Sequence, residues 1–152
     1  MKLSTKGRYG LRALIDLALY SEKEAASIAS ISARQQISES YLEQLIAKLR
    51  KAGLVKSVRG AGGGYMLAKP ASEISVGDIL RALEGNLSPG NCPGLEDVGF
   101  CAGSDYCVTK YVWQKINESI NRTVDEIKLD QLIQESKNMR DGAGTVGSCC
   151  VN

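Results

Sequence analysis

The sequence contains no histidine. That absence excludes a Ser-His-Asp triad, a Cys-His pair and an HExxH zinc site. No other catalytic signature takes their place, so an enzyme is not expected. Long apolar runs are missing too, and nothing approaches the roughly 18 residues a membrane span needs. Lys2, Lys6, Arg8 and Arg12 interrupt the start, which is not the pattern of a signal peptide. The expected location is therefore cytoplasmic, with no membrane contact. There is no internal repeat. The five cysteines do not make an even set, which argues against a fully paired disulfide framework.

A net charge of +2 conceals an asymmetry. Residues 1–69 hold 12 Lys or Arg against 5 acids, a balance of +7, and the remainder holds 7 against 12, a balance of −5. A basic first half suits a reader of phosphate backbone, and an acidic second half suits a separate regulatory segment. An ordinary solvated surface with local imbalance gives the same numbers.

Hydrophobic spacing predicts a helix from about Thr5 to Ser21, with Leu11, Leu14, Ile15 and Ala18 on one face and Lys6, Arg8, Arg12 and Asp16 on the polar side. A shorter helix is expected over Ser27 to Gln36. A third follows from Glu39 to Ala52, with Ser38 or Ser40 as N-cap, Gly53 as the stop and Leu42, Leu45, Ile46 and Leu49 as the buried stripe. Leu54–Val58 and Tyr65–Leu67 read as strands around the glycine-rich run 59–64, a hairpin. Ser75-x-x-Asp78 is a capping box opening a helix to about Glu84.

Gly85 to Tyr106, with five glycines and two prolines, reads as a loop. A long helix then carries Val112, Ile116, Ile120 and Val124 every fourth residue, with Trp113 and Ile127 beside them. A short helix follows, capped by Asp130 and carrying Leu132 and Ile133. The expected boundaries are 1–84 for a winged helix-turn-helix unit, 85–107 for the loop, 108–138 for the two closing helices, and 139–152 for a disordered tail.

Three helices and a glycine-rich hairpin are the order of a winged helix-turn-helix. The fold expected is mainly α with a small β-hairpin wing. The third helix would be the recognition helix, showing Glu39, Ser40, Glu43, Gln44, Lys48 and Lys51 opposite its buried stripe. Gln pairs with adenine, Glu accepts from the cytosine amino group, and lysines near the helix end suit phosphates. Arg59 opens the hairpin loop, placed for a minor groove whose negative potential favours a guanidinium. An amphipathic helix with a solvated face is the competing reading, and the flanking wing weighs against it. Nor does the glycine run fit a phosphate-cradling loop, because it leads into Tyr65-Met66-Leu67, a strand, rather than a helix.

Cys92, Cys101 and Cys107 lie in the loop at the spacing C-x8-C-x5-C. Thiolates are soft donors that select iron–sulfur clusters, zinc or copper(I). The spacing matches neither common zinc fingers nor ferredoxin runs. Three unrelated thiols, or a thiol switch forming a disulfide, are the alternatives. Cys149 and Cys150 form a vicinal pair in the tail, read as dispensable.

Lys6-Gly7-Arg8-Tyr9, the run from Ile37 to Leu45, the run from Leu49 to Val55 and the run from Ser57 to Tyr65 closely resemble the iron–sulfur-cluster-responsive members of the bacterial Rrf2 family of winged-helix regulators. The likeness covers roughly residues 1–133. It implies a homodimer paired through the helix at about 108–126, and a 2Fe–2S cluster on Cys92, Cys101 and Cys107. It further implies that Ser40, Glu43 and Gln44 approach bases of double-stranded promoter DNA, a pseudo-palindromic operator, and that Arg59 enters the minor groove. In this family the cluster-loaded form represses cluster-assembly genes, the apo form reads a second class of sites, and the residue at Glu43 discriminates between them.

The chain departs from the family pattern in two places. The loop is longer between its first two cysteines, with Glu96, Asp97 and Phe100 inside it. Lys110 stands three after the last cysteine, where the family typically has a histidine as fourth ligand. A protonated ammonium has no lone pair to give a metal. That leaves Glu96, Asp97, Asp105, a tail cysteine, the partner chain or an exogenous thiol as the fourth donor. Other readings kept open are a relative responding to nitric oxide or cysteine metabolism, and a metal-binding interaction module that does not touch DNA.

Overall fold

A computed structural model describes residues 4–90, 92, 101–103 and 105–142. In chain order the elements are α1 (Thr5–Tyr20), α2 (Ile28–Gln35), α3 (Glu39–Lys51), β1 (Val55–Val58), β2 (Gly64–Leu67), one 3-10 turn (Ala71–Glu73), α4 (Val76–Glu84), α5 (Val108–Glu126) and α6 (Leu129–Gly142). Three helices, an antiparallel hairpin and a fourth helix form the winged helix-turn-helix expected from the sequence.

Local signals set most of the element ends. Ser4 and Ser27 each accept a backbone N–H in the first turn of the helix they precede, 3.1 Å away in both cases. Ser75 and Asp78 make the reciprocal capping box, with both bonds at 3.0 Å. Ser38 occupies the N-cap position of α3 without a side-chain bond. At the other end of α3, Gly53 takes φ +74. Its N–H goes to the Arg50 carbonyl and that of Leu54 to Leu49, both at 3.0 Å, so two orphan carbonyls are satisfied as the chain turns into β1.

Strands β1 and β2 pair from Val55 with Leu67 to Val58 with Gly64. Ala26 adds a short bridge on the other side of β2, exchanging bonds of 2.9 and 2.8 Å with Tyr65. That approach needs a glycine next door, because a Cβ on Gly64 would meet the Ala26 carbonyl carbon at 2.7 Å.

The core gathers Leu14 and Leu17 of α1, Ile31 of α2, the α3 stripe Leu42, Leu45, Ile46 and Leu49, and Ile79 and Leu83 of α4, with Leu129 closing it. Each such side chain contributes about 1.5–3 kcal/mol when fully buried. Helices α1 and α4 meet at two glycines that leave no room for a side chain. A Cβ on Gly7 would meet Glu84 Oε1 at 2.7 Å, and one on Gly10 would collide with Leu83.

Three details differ from the sequence reading. Asp16, assigned to the polar face, is only 1% exposed, because Arg34 and Gln35 reach it from α2. Asp130 lies inside the first turn of α6 rather than capping it. The N–H of Lys128 is instead taken by Gln131 Oε1 at 3.0 Å. Helix α6 also runs past the expected boundary at 138 to Gly142. Its C-terminal half is tied to the end of α1 and the residues just after it: Arg140 donates to the Tyr20 hydroxyl at 2.8 Å, and Lys137 pairs with Glu22 at 3.2 Å. The rest of the expected tail, including Cys149 and Cys150, lies outside the described residues.

Candidate DNA-reading surface and cysteine loop

The buried stripe of α3 turns the opposite face outward. Glu39, Ser40, Glu43, Gln44, Lys48 and Lys51 are all exposed. Glu39 in the first turn and Lys48, Arg50 and Lys51 in the last also complement the helix dipole. Arg59 is exposed at the start of the hairpin turn, which is closed by a Gly63 N–H bond to the Gly60 carbonyl at 3.0 Å. Five expected DNA-facing residues, Ser40, Glu43, Gln44, Lys48 and Arg59, are thus all accessible. Lys48 has a further engagement that its sequence position does not reveal: its ammonium donates to the Leu83 carbonyl at 3.2 Å, across to the C-terminal end of α4.

Beside this surface, Tyr9 of α1 stacks edge-on against Tyr41 of α3, with centroids 6.3 Å apart. Arg12 lies over Tyr9 at 5.5 Å and donates to the Gln35 carbonyl at 2.9 Å. These contacts hold α1 and α3 to the turn between α2 and α3, where Gln36 adopts a left-handed φ of 54.

The cysteine loop leaves α4 at Gly85 and enters α5 at Cys107, its N-cap residue. Its start is pinned by Leu87, which packs with Val76, Leu80, Ile120, Val124 and Ile127 in a second, smaller core. Cys92 is half-buried, Cys101 and Cys107 are exposed, and all three are free thiols. The Thr109 hydroxyl, 3.0 Å from Cys107 Sγ, and the Lys110 backbone N–H hold this thiol below its ordinary range. Three accessible thiols, one biased toward thiolate, fit an iron–sulfur cluster in donor chemistry. The described residues do not bring three Cys, Asp or Glu side chains together around one point. Asp105 is exposed, and Glu96 and Asp97 lie outside the described residues.

The apolar stripe of α5 divides between two environments. Ile120 and Val124 pack on the chain's own α4 and Leu87. Further toward the helix start, Val112, Trp113 and Ile116 are exposed at 47%, 38% and 38%, beside Tyr111 at 63%. A polar network ties the lower half of α5 to α4. Arg81 donates to Asn121 Oδ1 at 3.0 Å and pairs closely with Asp125. Sequence reasoning did not find this network, since Arg81 and Asp125 are 44 residues apart and neither belongs to a motif. No helix among the described residues is long and apolar enough to cross a membrane.

Comparison with known proteins agrees with this architecture. The Rrf2 family model, described as an iron-dependent transcriptional regulator, matches residues 3–135. The HTH-type transcriptional regulator IscR of Pectobacterium atrosepticum is 44% identical over 147 residues, covering 95% of this chain and 88% of the relative. Among solved structures, T. potens IscR superposes with a TM-score of 0.74 at 45% identity, covering 97% of this chain and 94% of the other. CymR, the global cysteine regulator of B. subtilis, gives 0.72 at 39% identity, covering 89% and 98%. With the winged unit, the outward face of α3 and these matches in agreement, the chain belongs to the Rrf2 family of transcriptional regulators and is IscR-like within it.

Proposed function

We propose that this regulator is a homodimer that senses iron–sulfur cluster status through a 2Fe–2S cluster and, when loaded, represses genes for cluster assembly. The observation that carries the reading is the position of the three thiols. Cys92, Cys101 and Cys107 lie on the stretch of chain that joins the DNA-reading unit to α5. Whatever orders that stretch acts on both at once.

Cys92, Cys101 and Cys107 would hold the cluster, which supplies a redox- and oxygen-sensitive ligand of the loop. Lys110 stands where the family's histidine ligand is expected, so the fourth donor comes from elsewhere. The exposed Tyr111, Val112, Trp113 and Ile116 supply the face on which a second copy's α5 packs. Ser40, Glu43 and Gln44 approach bases, and Arg59 enters the minor groove.

The test is anaerobic reconstitution of the full chain with iron and sulfide. About two irons per chain are expected, lost when Cys92, Cys101 and Cys107 are changed to Ala. Operator affinity should differ between loaded and apo protein and fall steeply with salt. Unchanged iron content in the triple variant, or one operator affinity in both states, overturns the reading.

The resemblance to the cysteine regulator CymR supports a second reading, a response to cysteine metabolism. In that case operator binding is indifferent to cluster loading and changes with the supply of cysteine or its precursors.

A further inference from the structure

We propose that Lys48 is a positioning residue for the recognition helix rather than a phosphate contact, and that α4 relays the placement of α5 to α3 through it. The inference rests on the reading that the outward face of α3 meets DNA bases.

The C-terminal turn of a helix leaves backbone carbonyls without partners and carries the negative end of the dipole, so an ammonium placed there is well matched. Lys48 supplies one to α4. Its Nζ lies 3.2 Å from the carbonyl oxygen of Leu83, itself 2% exposed, and the bond is partly buried. This bond draws the lysine stem back toward α4, away from its expected task at the helix end.

Helix α4 is held equally firmly from the other side. Arg81 reaches Asn121 and Asp125 of α5, and it also lies within 3.9 Å of Asp78 on its own helix. A Cβ at Gly77 would collide with the Asp125 carboxylate and meet Arg81 Nη2 at 2.6 Å, so this junction has no slack. Backbone bonds from Val76 to Ile127 and from Leu129 to Ile74, each 2.9 Å, clamp the start of α4 to the end of α5. The far end of α4 opens at Gly85 into the loop that carries Cys92. A change in the tilt of α5 therefore reaches α3 through Arg81, the body of α4 and Lys48.

The test uses full-length protein and two DNA duplexes. One is enriched by the wild-type protein from a random library, and the other carries a single replaced base pair within the enriched sequence. Affinities are measured across salt concentrations for wild type, Lys48→Met, Lys48→Arg and Arg81→Met. Lys48→Met should keep the wild-type salt slope while losing discrimination between the duplexes by about threefold or more. Lys48→Arg, which keeps a cationic donor, should restore it. Arg81→Met should lose discrimination as well, and combining it with Lys48→Met should add little, because both interrupt one path. Arg81→Met also serves as the reporter if Lys48→Met does not fold.

A salt slope reduced by about 0.9 for each lost contact, with discrimination intact, makes Lys48 a phosphate contact and overturns the proposal. Intact discrimination in Arg81→Met overturns the relay. Enrichment of no sequence at all is a separate result, and it overturns base reading by α3 itself.

Discussion

Asp16 and Arg34 form a two-pronged ion pair across α1 and α2, with Nε and Nη2 at 3.0 and 2.7 Å from Oδ1. Gln35 donates to Oδ2 at 2.8 Å, an oxygen that Arg34 Nε also reaches at 3.1 Å. The guanidinium carbon also lies over the Tyr20 ring, 4.1 Å from its centroid, so one arginine joins a buried acid to an aromatic ring. The hydrogen bond to Asp16 is the main cause that holds the Arg34 pKa above its ordinary value, against a smaller opposing effect of burial.

Removing one partner of this pair leaves a buried carboxylate short of its cation. Arg34→Met is expected to cost about 3 kcal/mol in urea unfolding. The double variant Asp16→Leu with Arg34→Met should recover most of that loss, because the charge and its partner leave together. Equal instability in the single and double variants would show that the cost lies in packing on Tyr20 instead.

Acid should loosen the junction of α1 with α4. Burial works to raise the Glu84 pKa, but the hydroxyl of Ser4 and the N–H groups of Gly7 and Ser4 outweigh it, and the net direction is down. A carboxylate with a depressed folded value contributes stability above the unfolded glutamate range, at about pH 4.3. That contribution disappears as pH falls through the lower folded value. Glu84→Gln should therefore be less stable than wild type at neutral pH, and the gap should close in acid. Thermal melts from pH 7 to pH 3 measure it, and a gap of constant size would mean that the carboxylate charge has no part in it.

Under the proposed homodimer, the division of the α5 stripe separates association from folding. Ile116→Glu should give a folded monomer, since Ile116 is exposed in the single chain. Ile120→Glu should lower the melting temperature, because Ile120 packs against Val76, Leu80 and Leu87. Sedimentation for mass and circular dichroism for the melt distinguish the two. A dimer that survives Ile116→Glu would move the interface off this face.

Much of the winged unit was legible from neighbouring residues. The α3 stripe, the stop at Gly53, the capping box at Ser75 and the hairpin around residues 59–64 depend on spacings of one or two turns, which the chain sets locally. The end of α6 was not legible, because the anchors that continue it, Tyr20 and Glu22, lie more than a hundred residues away.

The same contrast runs through the candidate site. Which residue types face outward on α3, and that three thiols share one loop, was determined by sequence alone, since helical period and spacing are intrinsic to the chain. That Asp16 is buried, that Lys48 is tied to Leu83, and that Ile120 is committed within the chain while Ile116 is free was decided only by tertiary structure. Helix crossings set those outcomes. At Gly7 and Gly10 α4 likewise comes close to α1, which brings Glu84 to Ser4 and Gly7, groups that no local spacing connects.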